Sequence, residues 1–181
     1  MTATSDYDQV KHLGYLRHVE AHVDLLMEGD TAHQVFFIDH GGLRLWHNAN
    51  GRDVTIQFFF EDQVVASFES LYLDTPSLFS ITSIEPTTIT VVDGATLRNA
   101  IQQNSDLMRT FTDHICHRFI DYTQYFLNRI EESPVDRYRS LLSEHPELVA
   151  RVPQYELASY LGITSVSLSR IRQRVKKEAT S

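Results

Sequence analysis

At residue 105 the hydrophobic pattern of this 181-residue chain changes period, and that change sets what the chain can build. From Ser105 to Glu132, the residues Phe111, Ile115, Phe119, Tyr122, Phe126 and Ile130 recur three or four positions apart, on one face of a helix. A helix of that length runs about 42 Å at about 1.5 Å per residue, more than a small β domain needs for cover. Such an aromatic stripe usually packs against its own chain, but its length here points to a symmetric partner, the same helix of another copy. Phe111, Ile115, Phe119, Tyr122 and Phe126 are therefore the expected dimer-interface residues.

Before residue 105 the pattern is different. Residues 7–14 are polar with scattered apolar positions, which predicts a short helix. Short apolar runs follow around Val19, His22–Asp24 and Leu25–Met27, then Val35–Ile38, Leu43–Trp46, Thr55–Phe60, Phe79–Ile84 and Thr87–Val92. Turn residues punctuate them every eight to twelve positions, the spacing of an antiparallel sandwich or barrel. Asp39-His40-Gly41-Gly42 reads as a tight turn with Leu43–Trp46 as its returning strand. Asn48-Ala49-Asn50-Gly51 reads as a second hairpin turn, since Asn-Gly supplies positive φ. Residues 63–73 predict a helical insertion between strands. After the long helix, Ser133-Pro134 provides an N-cap and a first-turn proline for a helix over Asp136–Glu144, which His145-Pro146 breaks. Two more helices are expected, Gln154–Leu161 and Ser165–Lys177.

Composition narrows the chemistry. The single cysteine, Cys116, excludes a disulfide framework, a cysteine zinc cluster and a cysteine-ligated iron–sulfur cluster. No apolar run reaches 18 residues, and Met1–Gln9 lacks a basic-then-apolar signal pattern, so a cytoplasmic protein away from membranes is expected. The net charge of −8 is unevenly spread. Residues 151–181 hold six basic and two acidic side chains, about +4, whereas residues 1–150 hold 10 basic and 22 acidic, about −12. An acidic body with a basic tail points to a polyanion partner for the tail alone.

The tail contains the most informative stretch, Glu156 to Ile171. Ala158 is small where two helices must cross, Gly162 marks a turn, and Leu157, Leu161, Ile163, Leu168 and Ile171 supply a shared core. This is a helix-turn-helix layout. Thr164 can cap the second helix, whose leading N–H groups can face a phosphate. Hydroxyls, amides and cations follow, as major-groove edges and phosphates require. The candidate DNA-binding residues are Thr164, Ser165, Val166, Ser167, Ser169, Arg170, Gln173, Arg174, Lys176 and Lys177.

With these parts in this order the chain resembles the CRP/FNR superfamily of bacterial transcription regulators, in its short form without a C-terminal wing extension. The resemblance runs from about residue 13 to 177 and rests on Leu26-Met-Glu-Gly-Asp30, Gly42-Leu-Arg-Leu45, Phe58-Phe-Phe-Glu61, Thr75-Pro-Ser77, Val152-Pro-Gln-Tyr-Glu-Leu-Ala-Ser-Tyr-Leu-Gly-Ile-Thr164 and Leu168-Ser-Arg-Ile171. It implies an α+β chain: an N-terminal antiparallel β-roll (a jelly-roll-like double-stranded β-helix) of cyclic-nucleotide-binding type over residues 1–104, a dimerisation helix over 105–132, and a winged-helix-like helix-turn-helix domain over 133–181. It also implies a homodimer acting on promoter DNA, with RNA polymerase and a small-molecule effector as further partners, and no cofactor. Phe58, Phe60, Glu69, Ser70, Leu71, Thr75 and Ser77 are the candidate pocket residues.

Two departures refine that picture. Relatives that bind cyclic AMP carry an arginine for the cyclic phosphate, and here no arginine lies between Arg52 and Arg98. A phosphate without a cation forfeits charge-assisted hydrogen bonds, so cyclic AMP is not the expected ligand. Of the three base-contacting positions that match Ser165, Val166 and Arg170, only Arg170 keeps the family's residue, which implies a different sequence preference. The alternative is a small-molecule-binding, cupin-like protein or enzyme with structural C-terminal helices. Its metal chemistry needs two histidines and a glutamate converging inside the barrel. His47 alone follows Gly42 on that strand, His18 and His22 stand about 13 Å apart along a strand, and His114 and His117, with Cys116 between them, make at most a weak pair. No metal and no catalysis are expected.

Overall fold

The computed structural model describes residues 10–178. Of the short helix predicted over 7–14, Val10 and Lys11 are helical and residues 7–9 lie outside the described range. Eight strands follow: β1 (Tyr15–Val19), β2 (Asp24–Leu26), β3 (Gln34–His40), β4 (Leu43–Asn48), β5 (Asp53–Phe59), β6 (Val64–Val65), β7 (Ser80–Ser83) and β8 (Thr87–Asp93). They form two four-stranded sheets with every pair antiparallel, in the orders β1-β8-β3-β6 and β2-β7-β4-β5. Between the sheets lies an apolar layer including Phe36, Ile38, Leu43, Leu45, Phe59, Ile81 and Ile89.

The hairpin predicted at Asn48–Gly51 forms, with Asn50 at φ 56° and Gly51 at φ 83° between the paired β4 and β5. The other turn does something else. β3 pairs with β8 and β6 while β4 pairs with β5 and β7, so Asp39–Gly42 carries the chain from one sheet to the other. Gly41 has φ 95°, and a Cβ there would meet the Pro86 carbonyl at 2.7 Å, so the crossing demands glycine. The helical insertion is shorter than expected. Val64 and Val65 pair with Phe37 and Phe36, as β-branched residues do at a sheet edge, and helix α1 is confined to Phe68–Leu73.

Helices α2 (Gly94–Gln103), α3 (Ser105–Glu131), α4 (Pro134–Glu144), α5 (Pro146–Arg151), α6 (Gln154–Tyr160) and α7 (Ser165–Glu178) complete the described chain. The sequence reading lacks α2, although Asp93 caps it by accepting from Thr96 N at 2.8 Å. It also lacks α5, because Pro146 starts a new helix as well as ending the break. Ser133 caps α4 as predicted, accepting from Asp136 N at 3.3 Å. No strand follows β8 among the described residues, so the C-terminal unit is helical there, without wing strands. No described helix is long and apolar enough to cross a membrane.

Two further apolar clusters join the parts. Val35, Phe37 and Val92 of the roll pack with Ile101 and Leu107, fixing α2 and the start of α3. Phe58 and Ile84 belong to the same cluster as Tyr138, Leu141, Val149, Leu157, Leu161 and Leu168, so the helix-turn-helix core includes roll residues.

Candidate nucleic-acid interface and its attachment to the roll

Helices α6 and α7 meet through Leu157, Ala158, Leu161 and Leu168, all buried. Gly162 turns the chain between them at φ 71°, where Ile163 N donates to Ala158 O at 2.9 Å. Thr164 caps α7: its Oγ1 accepts from Ser167 N at 3.1 Å and pairs with Ser167 Oγ at 3.0 Å. Among the predicted contact residues, Val166, Arg170, Gln173 and Lys177 are exposed at spacings of four, three and four, which makes them one outward ridge. Ser165 and Lys176 are exposed beside it, and Ser169 is half-buried. Ser167 turns back to Thr164, and Arg174 holds Glu178 at 2.9 Å. Arg172 points inward, donating to Tyr138 Oη and Val149 O at 3.4 Å each.

The tail's charge is therefore divided by role. Arg151, at the end of α5, reaches the roll rather than a ligand: Nη1 and Nη2 donate to the two Glu61 oxygens at 2.8 and 2.9 Å. Its Nε donates to Glu85 Oε1 at 3.1 Å, Nη2 donates to Gly41 O at 3.0 Å, and the guanidinium lies 4.4 Å over the Phe60 ring. The Arg151 hydrogen bonds hold the Glu61 carboxyl down at about 2, and Arg151 itself is pushed higher still by Glu61 and Glu85. Beside this clamp, Ser159 of α6 stitches onto the edge of β5, its Oγ accepting from Thr55 N at 2.9 Å and donating to Asp53 O at 2.7 Å. Buried Arg44 and Glu156 face each other at 3.7 Å, and Tyr155 Oη donates to Glu156 at 2.8 Å. Burial and that bond push the Tyr155 hydroxyl up to about 12. Sequence reading missed this attachment, since no local pattern pairs residues 90 positions apart.

The aromatic stripe on α3 divides too. Phe111 packs on the cluster that joins the roll to α2, Ile115 is half-buried, and Tyr122 lies 4.7 Å from the Arg118 guanidinium. Phe119 and Phe126 stay 73% and 63% exposed, with Ile130 at 66%. From Phe111 to Ile130 the predicted spacing drifts about 100° around a helix of 3.6 residues per turn. Its start consequently meets the chain's own body and its end faces out. The outward seam runs Phe119, Thr123, Phe126, Ile130, flanked by Ile120 and Leu127, in steps of four, three and four.

Residues 16–104 match the cyclic nucleotide-binding domain family. No curated protein matches the chain by sequence. Among solved structures, FixK2 from Bradyrhizobium japonicum superposes with a TM-score of 0.81 at 15% identity, over 92% of this chain and 86% of its own. The c-di-GMP-responsive global regulator CLP of Xanthomonas campestris gives 0.77 at 15% identity, over 97% and 92%. The catabolite activator protein of Thermus thermophilus gives 0.58 at 16% identity, over 97% and 84%. The chain has the CRP/FNR fold.

Within that CRP/FNR fold the predicted pocket residues do not stay together. Phe58 pairs with Arg44 on the outward side of its sheet while Phe59 pairs with Leu43 on the inward side. A strand alternates with period two, so the sequence reading chose the wrong neighbour. Phe58 packs against the Tyr160 ring at 5.5 Å, and Phe60 lies under Arg151; both serve the helix-turn-helix contact. The other five cluster around α1, where the Ser70, Ser77 and Glu69 side chains are hydrogen-bonded. Ser77 Oγ donates to Phe79 O and lies 2.7 Å from Ser67 Oγ, and Ser70 Oγ accepts from Ala32 N and donates to Thr75 O. Glu69 Oε1 accepts from Ser67 Oγ at 2.7 Å and Leu78 N at 3.1 Å, and Leu71 packs toward Gly94.

Proposed function

We propose that the chain is a homodimeric transcription regulator of CRP/FNR type that reads promoter DNA with α7. The observation that carries this is the outward ridge of Val166, Arg170, Gln173 and Lys177 behind a Thr164-capped N-terminus. A helix presenting a guanidinium, an amide and an aliphatic side chain to solvent fits a major groove, where Arg170 addresses guanine and Val166 a thymine methyl. The exposed seam of α3 supplies the second copy, which doubles the contact on a near-palindromic site. The structural neighbours are regulators, which favours this reading over a cupin-like enzyme. RNA polymerase then becomes a partner at the promoter.

Cyclic AMP is not the effector in this reading. Ser67, Ser70 and Ser77 around α1 bond to groups of the roll itself, and the carboxylate of Glu69 stands among them where a phosphate would need a cation. Fluorescence anisotropy of labelled duplexes across a salt series tests the regulator. A log–log slope of several units is expected as phosphates are neutralised, and no binding to any duplex at low salt overturns the proposal. Phe126→Asp places a charge in the seam and should give monomers by light scattering.

A further inference from the structure

We propose that the cleft where the roll, α3 and the helix-turn-helix unit meet is an effector site for a small aromatic carboxylate. Its bearing on DNA rests on the regulator reading; ligand binding itself does not. The cleft has a volume of about 470 Å³, and its walls come from β5, from α3, and from α4 and α6. That volume lies within the roughly 300–1,000 Å³ usual for small-molecule sites.

Donors and aromatic faces dominate its inner wall. The Arg118 guanidinium lies 4.7 Å from the Tyr122 ring and 5.3 Å from that of Phe59, and spends one bond, at 2.6 Å, on Gln57 Oε1. Arg137 donates from Nη1 to Glu132 O at 2.6 Å and from Nη2 to Leu161 O at 3.0 Å, while its Nε is buried with no acceptor. Both guanidinium groups are thus bonded to neutral oxygens. Tyr125 and Tyr160 stack at 5.6 Å, and burial holds the Tyr160 hydroxyl protonated, up at about 12. A flat ring with one carboxylate matches tyrosine faces beside an arginine whose fork is mostly unspent. Asp121, Glu132 and Glu144 share the lining with Arg118 and Arg137, so its carboxylates outnumber its guanidinium groups and leave room for no more than one negative charge, placed against Arg118.

The position gives the site its consequence. At about 100° per residue, Arg118, Tyr125 and Asn128 stand about 80° or more around α3 from Phe119, Thr123, Phe126 and Ile130, while Tyr122 flanks the seam about 40° from Phe126. A partner on the seam therefore leaves the Arg118, Tyr125 and Asn128 wall of the cleft open. Because its walls belong to three units, the cleft exists only while α4 and α6 sit against the roll. Arg151 maintains that contact without lining the cleft. A ligand there binds the docked arrangement better than an undocked one, which is the requirement for an effector.

Isothermal titration of the full chain, without DNA, with benzoate, 4-hydroxybenzoate and indole-3-carboxylate tests this. At least one should bind below about 1 mM, and its amide about tenfold or more weakly, since a charged partner roughly doubles each hydrogen bond. Arg118→Leu and Tyr122→Ala should each weaken it about tenfold. Arg151→Ala, outside the cleft, should weaken it several-fold by populating the undocked form, and Ser77→Ala inside the roll should leave it unchanged. Should Arg118→Leu fail to fold, Gln124→Trp on the exposed rim blocks the cleft and should abolish binding. No binding by any of the three up to 10 mM, indifference to these cleft substitutions, or weakening by Ser77→Ala overturns the proposal. A chain that binds the carboxylate but no duplex would sink the regulator reading and leave the site standing.

Discussion

Between the two sheets of the roll, Ile38, Leu43, Ile81 and Ile89 are fully covered within one apolar cluster. Between the roll and α6, Thr55 and Glu156 are equally buried and Arg44 nearly so, yet Arg44 Nη1, Thr55 Oγ1 and Glu156 Oε2 make no hydrogen bond, Arg44 Nη1 meeting Glu156 only as an ion pair at 3.7 Å. The first contact rests on area removed from water, about 25 cal/mol per Å², which needs no particular partner and is not weakened by charge screening. The second rests on groups whose desolvation is offset only while each partner is present. The roll is thus built to be one object. The joint to the helix-turn-helix unit is built to hold one pose and to loosen when a charge changes.

The largest effect should come from breaking the buried pair on one side only. Arg44→Met leaves the Glu156 carboxylate buried with Tyr155 Oη as its hydrogen-bond donor. A loss of about 3–5 kcal/mol in urea unfolding is expected for such an orphaned charge. Adding Glu156→Leu should recover most of it, whereas Ile81→Ala in the roll should cost about 2–5 kcal/mol with no such rescue. If the double variant is no more stable than Arg44→Met alone, the pair does not govern the joint.

A smaller effect separates two arginines of the tail. Arg170 stands exposed on the ridge of α7, and Arg151 is committed to Glu61 and Glu85. Arg170→Ala should leave stability unchanged and cost about 1–3 kcal/mol at one guanine per half-site, seen as relaxed preference in a selection from random duplexes. Arg151→Ala should do the reverse, lowering stability while the preferred sequence persists. An unchanged preference in the Arg170 variant would move base reading to Ser165, Val166 and DNA shape.

These contrasts also mark what was legible in the sequence. Patterns within a window of ten or so residues came through: the Asn50-Gly51 hairpin, the Ser133-Pro134 cap, the Gly162 turn and the α3 helix all depend on neighbours in the chain. Features set by distant partners did not. The sheet change at Gly41 depends on Pro86 and Thr87, the outward side of Phe58 on its register with Arg44, and the clamp on Arg151 meeting Glu61 and Glu85. The aromatic stripe fell between these cases, since its residues were right as a helix face but a steady spacing concealed a slow rotation. Counting Arg151 with the basic tail overstated the positive charge left at the tail's surface for the same reason.

The smallest effect is the most specific to the clamp. Glu61 accepts from Arg151 and from Gly41 N at 2.8 Å, and these donors bring its carboxyl from 4.5 to about 2. A carboxyl that is more acidic in the fold binds protons more readily once unfolded. Its contribution is therefore complete above about 4.5 and is lost as the pH falls toward 2. The side chain is about a third exposed, so solvent screens the pair and the contribution is about 1 kcal/mol. Urea midpoints of the wild type and Glu61→Gln should differ at pH 7 and converge only as the pH approaches 2. The same gap should narrow in high salt at pH 7, because partly exposed charges are screened there. The apolar roll core offers no such dependence on salt, so a gap that stays constant in both titrations would mean that Phe60 and its neighbours, and not the charges, hold the helix-turn-helix unit in place.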